Sequence, residues 1–231
     1  MKKTIQFTLS TICTVGILVG SGFIYTPSII FDPEIWVVML AIIVMLLTQP
    51  HINKADLLNP TDKYSMLGIF LMAIIVHNLA VMEWAMKTKY YFSLSFLKIL
   101  GFIMIWGGII FRIYAIKKLS IYFSNAAEIQ KEHQLYDEGI YAKVRHPSYS
   151  GAISTIIGTL IWLESWSVFF ICLLLITMAY WHRITQEEKL LTNHFKEKYI
   201  QYCQKTGCLL PKIKIGITPK KPVFKNNLLK K

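Results

Sequence analysis

Arg183 and Glu187 stand four residues apart where an apolar stretch ends, and Glu188 follows at once. On a helix the first two share a face. A guanidinium can hold a carboxylate by two parallel hydrogen bonds, and the glutamate can face a cation. Upstream lies Arg145-His146-Pro147-Ser148-Tyr149-Ser150-Gly151, at the start of another apolar stretch. Pro147 suits the first turn of a helix. The N–H groups that follow it then form an end that favours an anion such as a carboxylate. Arg145 and His146 add donors, Tyr149 adds an aromatic face, and Gly151 leaves room for close approach. Taken singly, each motif also reads as an ordinary helix start or a surface ion pair of small energy. Together they place ionisable groups at the edge of a hydrophobic bundle, where such groups are costly and usually functional.

The elements that must position these residues are apolar helices. The chain has 231 residues, of which 54% are hydrophobic, and its mean hydropathy is +0.45. Stretches long enough to cross a ~30 Å hydrocarbon core recur along it. The reading is six spans: roughly Ile5–Tyr25, Ile35–Thr48, Ser65–Met86, Leu94–Ile116, and a hairpin of Tyr149–Leu163 and Trp166–Trp181 turning at Glu164-Ser165. The first follows Lys2 and Lys3. Its length and the lack of an A-x-A site favour a retained helix over a signal peptide. Gly101, Gly107 and Gly108 allow close helix approach in the fourth. Residues 117–145 mix charges with aromatics and read as an interfacial segment. From Ile184 the chain is amphipathic, with Leu190, Leu191, His194, Phe195 and Tyr199 at helical spacing, until Gly207 and Pro211 break it. The basic tail from Pro219 carries no fold signal.

Net charge is +12. With six spans, 22 of the 25 Lys and Arg fall on one side, leaving Lys87, Lys89 and Lys98 opposite. The positive-inside rule then puts both termini and both motifs in the cytosol. Nothing resembles a basic nucleic-acid module with interleaved aromatics. Cys13 and Cys172 read as packing residues. Cys203 and Cys208 with His194 fit no common zinc pattern, so no metal is expected. His77 reads as a helix-packing group. Glu83 and Glu164 are expected at the far surface, satisfied by solvent.

The ordered set His133-Gln134-Leu135, Gly139-Ile140-Tyr141, Arg145 to Gly151, and Arg183-x-x-x-Glu187-Glu188 with Phe195 and Tyr199 resembles the isoprenylcysteine carboxyl methyltransferase family, within a superfamily that includes phospholipid methyltransferases. The resemblance covers about residues 120–211. It implies S-adenosylmethionine bound at the cytosolic surface by His133, Gln134, Leu135, Tyr136, Tyr141, Arg145, His146, Pro147, Ser148, Tyr149 and Glu187. It places Arg183 on the substrate side; Arg183 and Glu187 are read as the catalytic pair. The chain departs from the family at Tyr136-Asp137, where a small or β-branched pair is usual. Asn125 and Gln130 are candidates for a further polar pocket residue.

The residue types suit that chemistry. A carboxylate acceptor is ionised near neutral pH, so it needs orientation and not a general base. A lipophilic acceptor can enter sideways from the bilayer. Two other classes fit parts of the pattern. Membrane NADPH-dependent sterol reductases share an Arg-His-x-x-Tyr pattern, but follow it with Gly and an acidic residue where this chain has Gly151-Ala152. A non-enzymatic scaffold or transporter component is the other. The expected protein is therefore an all-α polytopic membrane bundle in three parts. Residues 1–116 hold four helices, 117–211 the cofactor pocket and hairpin, and 212–231 a basic tail. The acceptor's identity and the oligomeric state are not encoded in any pattern found.

Overall fold

A computed structural model describes residues 31–48, 64–87, 94–119 and 135–212, with four isolated positions nearer the N-terminus. The expected first span, Asn125, Gln130, His133, Gln134 and the basic tail lie outside the described residues. Within them the chain is helical: α1 (Pro33–Leu47), α2 (Ser65–Lys87), α3 (Phe96–Leu119), α4 (Pro147–Trp162), α5 (Phe169–Phe195) and α6 (Glu197–Lys205). The helices α2, α3 and α5 are long and apolar enough to cross a membrane. At 15 and 16 residues, α1 and α4 reach only about 22–24 Å at 1.5 Å per residue, short of a ~30 Å core.

Large apolar side chains point outward, as they must where lipid is the solvent. Ile103, Ile110, Phe170, Leu174, Met178 and Trp181 are all exposed. The buried core joins Ile35, Val38, Val76, Val81, Ile105, Ile109, Ile156, Leu160 and Ile176 across five helices.

Small residues set the closest contact, between α3 and α4. Gly101 and Gly108 are seven residues apart and therefore on one face, as are Gly151 and Gly158. A Cβ on Gly108 would lie 2.5 Å from the Gly151 carbonyl oxygen, and one on Gly158 would lie 2.8 Å from that of Gly101. Polar groups use this proximity: the Ser154 hydroxyl donates to the Met104 carbonyl at 3.1 Å and the Thr155 hydroxyl to that of Ile105 at 3.3 Å. The space left by Gly151 is thus filled by α3, not by a ligand. Gly107 faces open space.

The hairpin turn falls where expected. Glu164 takes φ +51°, and the Ser165 hydroxyl donates to the Ala80 carbonyl of α2 at 2.9 Å. The glutamates expected in solvent are instead engaged. Glu83 is buried and accepts the Ser167 and Val168 N–H groups, both at 2.9 Å. It thereby satisfies donors that the start of α5 leaves unpaired. Glu164 accepts from Ser95 at 3.1 Å and lies 3.8 Å from Lys98 Nζ. Lys98 is buried against Glu34 of α1, whose carboxylate also accepts the Trp84 indole N–H. The Trp162 indole donates to the Glu34 carbonyl at 2.9 Å. Removing one member of such a buried pair leaves an uncompensated charge, so this cluster fixes how α1 seats on the bundle. His77 bonds its own helix at the Ala73 carbonyl, 2.7 Å away.

Gly151→Ala should therefore cost about 1–3 kcal/mol of stability, the usual penalty of overpacking. Gly107→Ala should be neutral or stabilising by up to about 1 kcal/mol through helix propensity. Thermal unfolding in detergent compares the two; equal effects would remove the packing argument.

Candidate active site

The two sequence motifs meet at one end of the bundle. This end gathers the start of α2, the end of α3, the start of α4 and the later turns of α5. Pro147 opens α4 as expected, with His146 as its N-cap. The expected anion hole differs. The Tyr149 and Ser150 N–H groups both turn back to the His146 carbonyl at 3.1 Å, so two of the donors read as a ligand cradle serve the chain itself.

Arg183 is 3% exposed although its type favours solvent. Its Nε donates to the Tyr149 hydroxyl at 3.0 Å and its Nη1 to the Ser65 hydroxyl at 3.1 Å. The Tyr149 hydroxyl donates in turn to Glu187 Oε2 at 2.6 Å. Arg183 and Glu187 do share a face, 3.8 Å apart, with the phenol of Tyr149 between them. The Glu187 side chain stays 29% exposed, so this relay runs from a dry cation to a carboxylate that reaches solvent.

A second relay centres on Glu188, the residue after Glu187. Its Oε1 accepts from Arg145 Nε at 2.8 Å and lies 3.0 Å from His146 Nε2. Arg145 also donates to the Thr206 carbonyl at 2.8 Å. Burial would lower the pKa of this guanidinium, but the Glu188 hydrogen bond outweighs it and holds the group above its ordinary value. The His146 ring stacks on Tyr149 with centroids 5.4 Å apart, which joins the two relays.

Sequence reasoning missed Arg112. It is 4% exposed, its Nη1 donates to the Ser148 carbonyl at 3.2 Å, and its Nε has no hydrogen-bond partner. Tyr180, Tyr149 and Tyr141 surround it electrostatically. The signal was available: an arginine four residues before the end of the apolar span Leu94–Ile116 is expensive there.

The C-terminal segment fastens the motif. Residues 206–209 run beside 143–146 as a strap. The Gly207 N–H donates to the Lys143 carbonyl at 3.0 Å, Arg145 N–H to Gly207 at 2.9 Å, and His146 N–H to Cys208 at 3.0 Å. The Ser150 hydroxyl reaches the Leu209 carbonyl at 2.5 Å. The strap is reached through a break the sequence reading placed too late: α5 ends at Phe195, Lys196 takes φ +50°, and α6 follows.

The Tyr141 phenol is buried and donates to the Ala115 carbonyl at 3.2 Å; burial first, and Glu187 next, push its pKa upward. Its ring meets Tyr136 edge-on at 5.5 Å. Pro147 and Ser148 are buried. Leu135 lines a cavity of about 650 Å³ together with Asp137, Ala142, Phe195, Lys198, Gln201, Tyr202, Lys205 and Thr206, a volume in the range of small-molecule sites. The structure thus gathers Arg145, His146, Tyr149, Arg183 and Glu187 into one network, and sets Leu135 and Tyr136 beside it with Tyr141.

Fold and site together define a helical integral membrane protein with a buried arginine pair at one end of its bundle. Residues 96–198 match the phospholipid methyltransferase family. The chain is 33% identical over 141 residues to the protein-S-isoprenylcysteine O-methyltransferase of Xenopus laevis, covering 57% of this chain and 48% of that one. It is 38% identical over 92 residues to that of Schizosaccharomyces pombe, covering 38% and 37%, and 28% identical over 162 residues to that of Saccharomyces cerevisiae, covering 69% and 65%. The matches span between about a third and two thirds of these relatives. The solved structure of the eukaryotic intramembrane Ras methyltransferase ICMT shares the fold, with a TM-score of 0.51, 24% identity, and coverage of 84% of this chain and 72% of that one. Within the wider class, the chain is similar to the isoprenylcysteine carboxyl methyltransferases. These matches lend no support to the reductase or scaffold alternatives.

Gly207→Ala should unseat the strap, because a Cβ there collides with the Leu210 carbonyl. Hydrogen exchange should show Arg145 and His146 amides losing protection. Ser150→Ala removes one side-chain bond and should leave those amides protected.

Proposed function

We propose that this chain is a membrane-embedded, S-adenosylmethionine-dependent methyltransferase that esterifies the carboxylate of a lipophilic acceptor of the isoprenylcysteine type. The observation that carries this reading is the pair of buried arginines, Arg112 and Arg183, around Tyr149. Among the described residues, Arg112 has a buried Nε without a partner and no carboxylate among the groups that act on it. A buried cation in that state is expensive unless a ligand supplies the negative charge. The motif match and the relatives' common activity point the same way.

The residues present fit the methyl donor by their chemistry. Glu187 offers a partly exposed carboxylate to a cationic group, and the arginines offer donors to carboxylates. The cavity beside Leu135 and Phe195 offers apolar and aromatic wall next to polar groups. Bound S-adenosylmethionine would supply an electrophilic methyl group on a sulfonium. The chain's own task is then to orient an already ionised oxygen and keep water away. An α-carboxyl titrates near 3.3–3.7 in ordinary surroundings, so no residue has to remove a proton. Arg183 is held by Tyr149 and Ser65, which fixes its planar head before anything binds. Preset donors of this kind need no reorganisation during reaction. Glu187 is tethered to Tyr149 and so points its charge from a fixed direction. The orientation that suits this reading sets the site, His133, Gln134 and both termini on the cytosolic side, with the acceptor's apolar tail entering between helices.

Arg183→Lys keeps the charge but loses the planar fork. It should cut methyl transfer strongly with little change in S-adenosylmethionine affinity, whereas Glu187→Gln should weaken that affinity directly. Calorimetry beside single-turnover transfer to a prenylcysteine acceptor separates them. Normal affinity and wild-type rate in both variants would remove this helix from the site.

Arg112→Met gives the sharper test. Loss of a charged hydrogen bond to the acceptor, about 1.5–3 kcal/mol, should lower kcat/KM roughly 10- to 100-fold. Stability in the absence of ligand should hold or rise, since an uncompensated buried cation is gone. A variant that unfolds at lower temperature and transfers methyl normally would show that Arg112 serves packing alone.

A further inference from the structure

Cys208 brings a thiol to the motif from the strap. Its Sγ, a ring nitrogen of His146 and a carboxylate oxygen of Glu188 all lie within 4.8 Å of one another, the one such trio found among the described residues. The three side chains come from the strap, the α4 N-cap and α5. Two of them are preset against each other, because the His146 N–H donates to the Cys208 carbonyl at 3.0 Å. Sequence spacing gave this cysteine no zinc pattern with His194; the fold sets it beside a histidine 62 residues earlier.

One sulfur, one nitrogen and one oxygen make a donor set for a borderline-soft divalent cation. Zinc takes these atoms at about 2.0–2.3 Å, whereas calcium and magnesium take oxygen alone. Ligand atoms on a tetrahedral zinc stand about 3–4 Å apart by those bond lengths, so closing the trio asks for a movement of about 1 Å. Arg145 opposes a cation here, since it holds Glu188 at 2.8 Å. Its Nη1 keeps the Thr206 carbonyl at 2.8 Å, so it retains a partner when the carboxylate turns away.

We propose that His146, Glu188 and Cys208 form a site for a zinc-class divalent cation that competes with Arg145 for Glu188. Binding forms three metal–ligand bonds and releases the thiol proton to solvent, with solvent completing the coordination. The loaded state breaks the Arg145–Glu188 contact that ties the α4 motif to α5. That makes the cation an inhibitor, a consequence that rests on the methyltransferase reading, while the binding itself does not.

The probe is Cd²⁺, whose bond to a thiolate absorbs in the ultraviolet. The protein is the full chain in detergent with Cys13, Cys172 and Cys203 replaced by serine or alanine. The expected result is a saturable band at one equivalent that Zn²⁺ abolishes by competition. Adding Cys208→Ser should eliminate it. Glu188→Gln and His146→Gln should each weaken Cd²⁺ at least tenfold, and Arg145→Gln should tighten it. A band indifferent to Glu188→Gln and His146→Gln would mean an isolated thiol and would overturn the site, as would the absence of a saturable band. If the triple replacement does not fold, the difference between wild type and Cys208→Ser gives the same answer. None of these readings requires methyl transfer, so the site and the enzymatic reading can fail separately.

Discussion

Where α3 and α4 cross, Gly108 and Gly151 bring two backbones closer than any side chain would permit, and the polar end of the bundle is arranged around that contact. Arg112 lies one helical turn beyond Gly108, so the crossing delivers its guanidinium beneath the Ser148 carbonyl. Tyr149 then rises from the next position of α4 to meet Arg183 and Glu187 of α5. In lipid there is no hydrophobic gain from joining helices, so close packing and interhelical hydrogen bonds must supply the association. A looser crossing would leave Arg112 in a gap and Tyr149 out of reach of α5.

The charged groups are sorted by this arrangement to the two ends of the bundle. At one end Glu34, Lys98, Glu83 and Glu164 all find partners within the chain, which makes that end a fastening. At the other, Arg183 and Glu188 are engaged but Arg112 retains an unpaired buried nitrogen. The contrast separates a satisfied cluster from one in which a buried donor lacks a partner among the described residues. Burial alone does not make the distinction, because Lys98 is as buried as Arg112.

Much of this was legible in the sequence where periodicity and punctuation agree. Pro147 marked the start of α4, Glu164-Ser165 marked the turn, and the spacing of Arg183 and Glu187 placed both on one face. What stayed hidden depended on contacts between distant elements. Gly151 looked like room for a ligand, yet its neighbour is Gly108, over forty residues away. The partners of Glu188 stayed hidden because Arg145 and His146 lie at another helix start. The break at Lys196 carries no glycine or proline, so no local rule announces it. The partnership of Cys208 with His146 could not be read from spacing, since it exists only after the strap has returned.

That strap sets an order of assembly. The segment carrying Arg145 and His146 is made well before residues 206–209, which supply the backbone partners of both. During synthesis the spans can insert and the glycine crossing can form while the motif still lacks its last edge. A chain still on the ribosome, or one cut short before Thr206, would keep its membrane helices and lose the fastening of its chemistry. Synthesis past residue 209 is thereby built into the motif as a condition for its assembly.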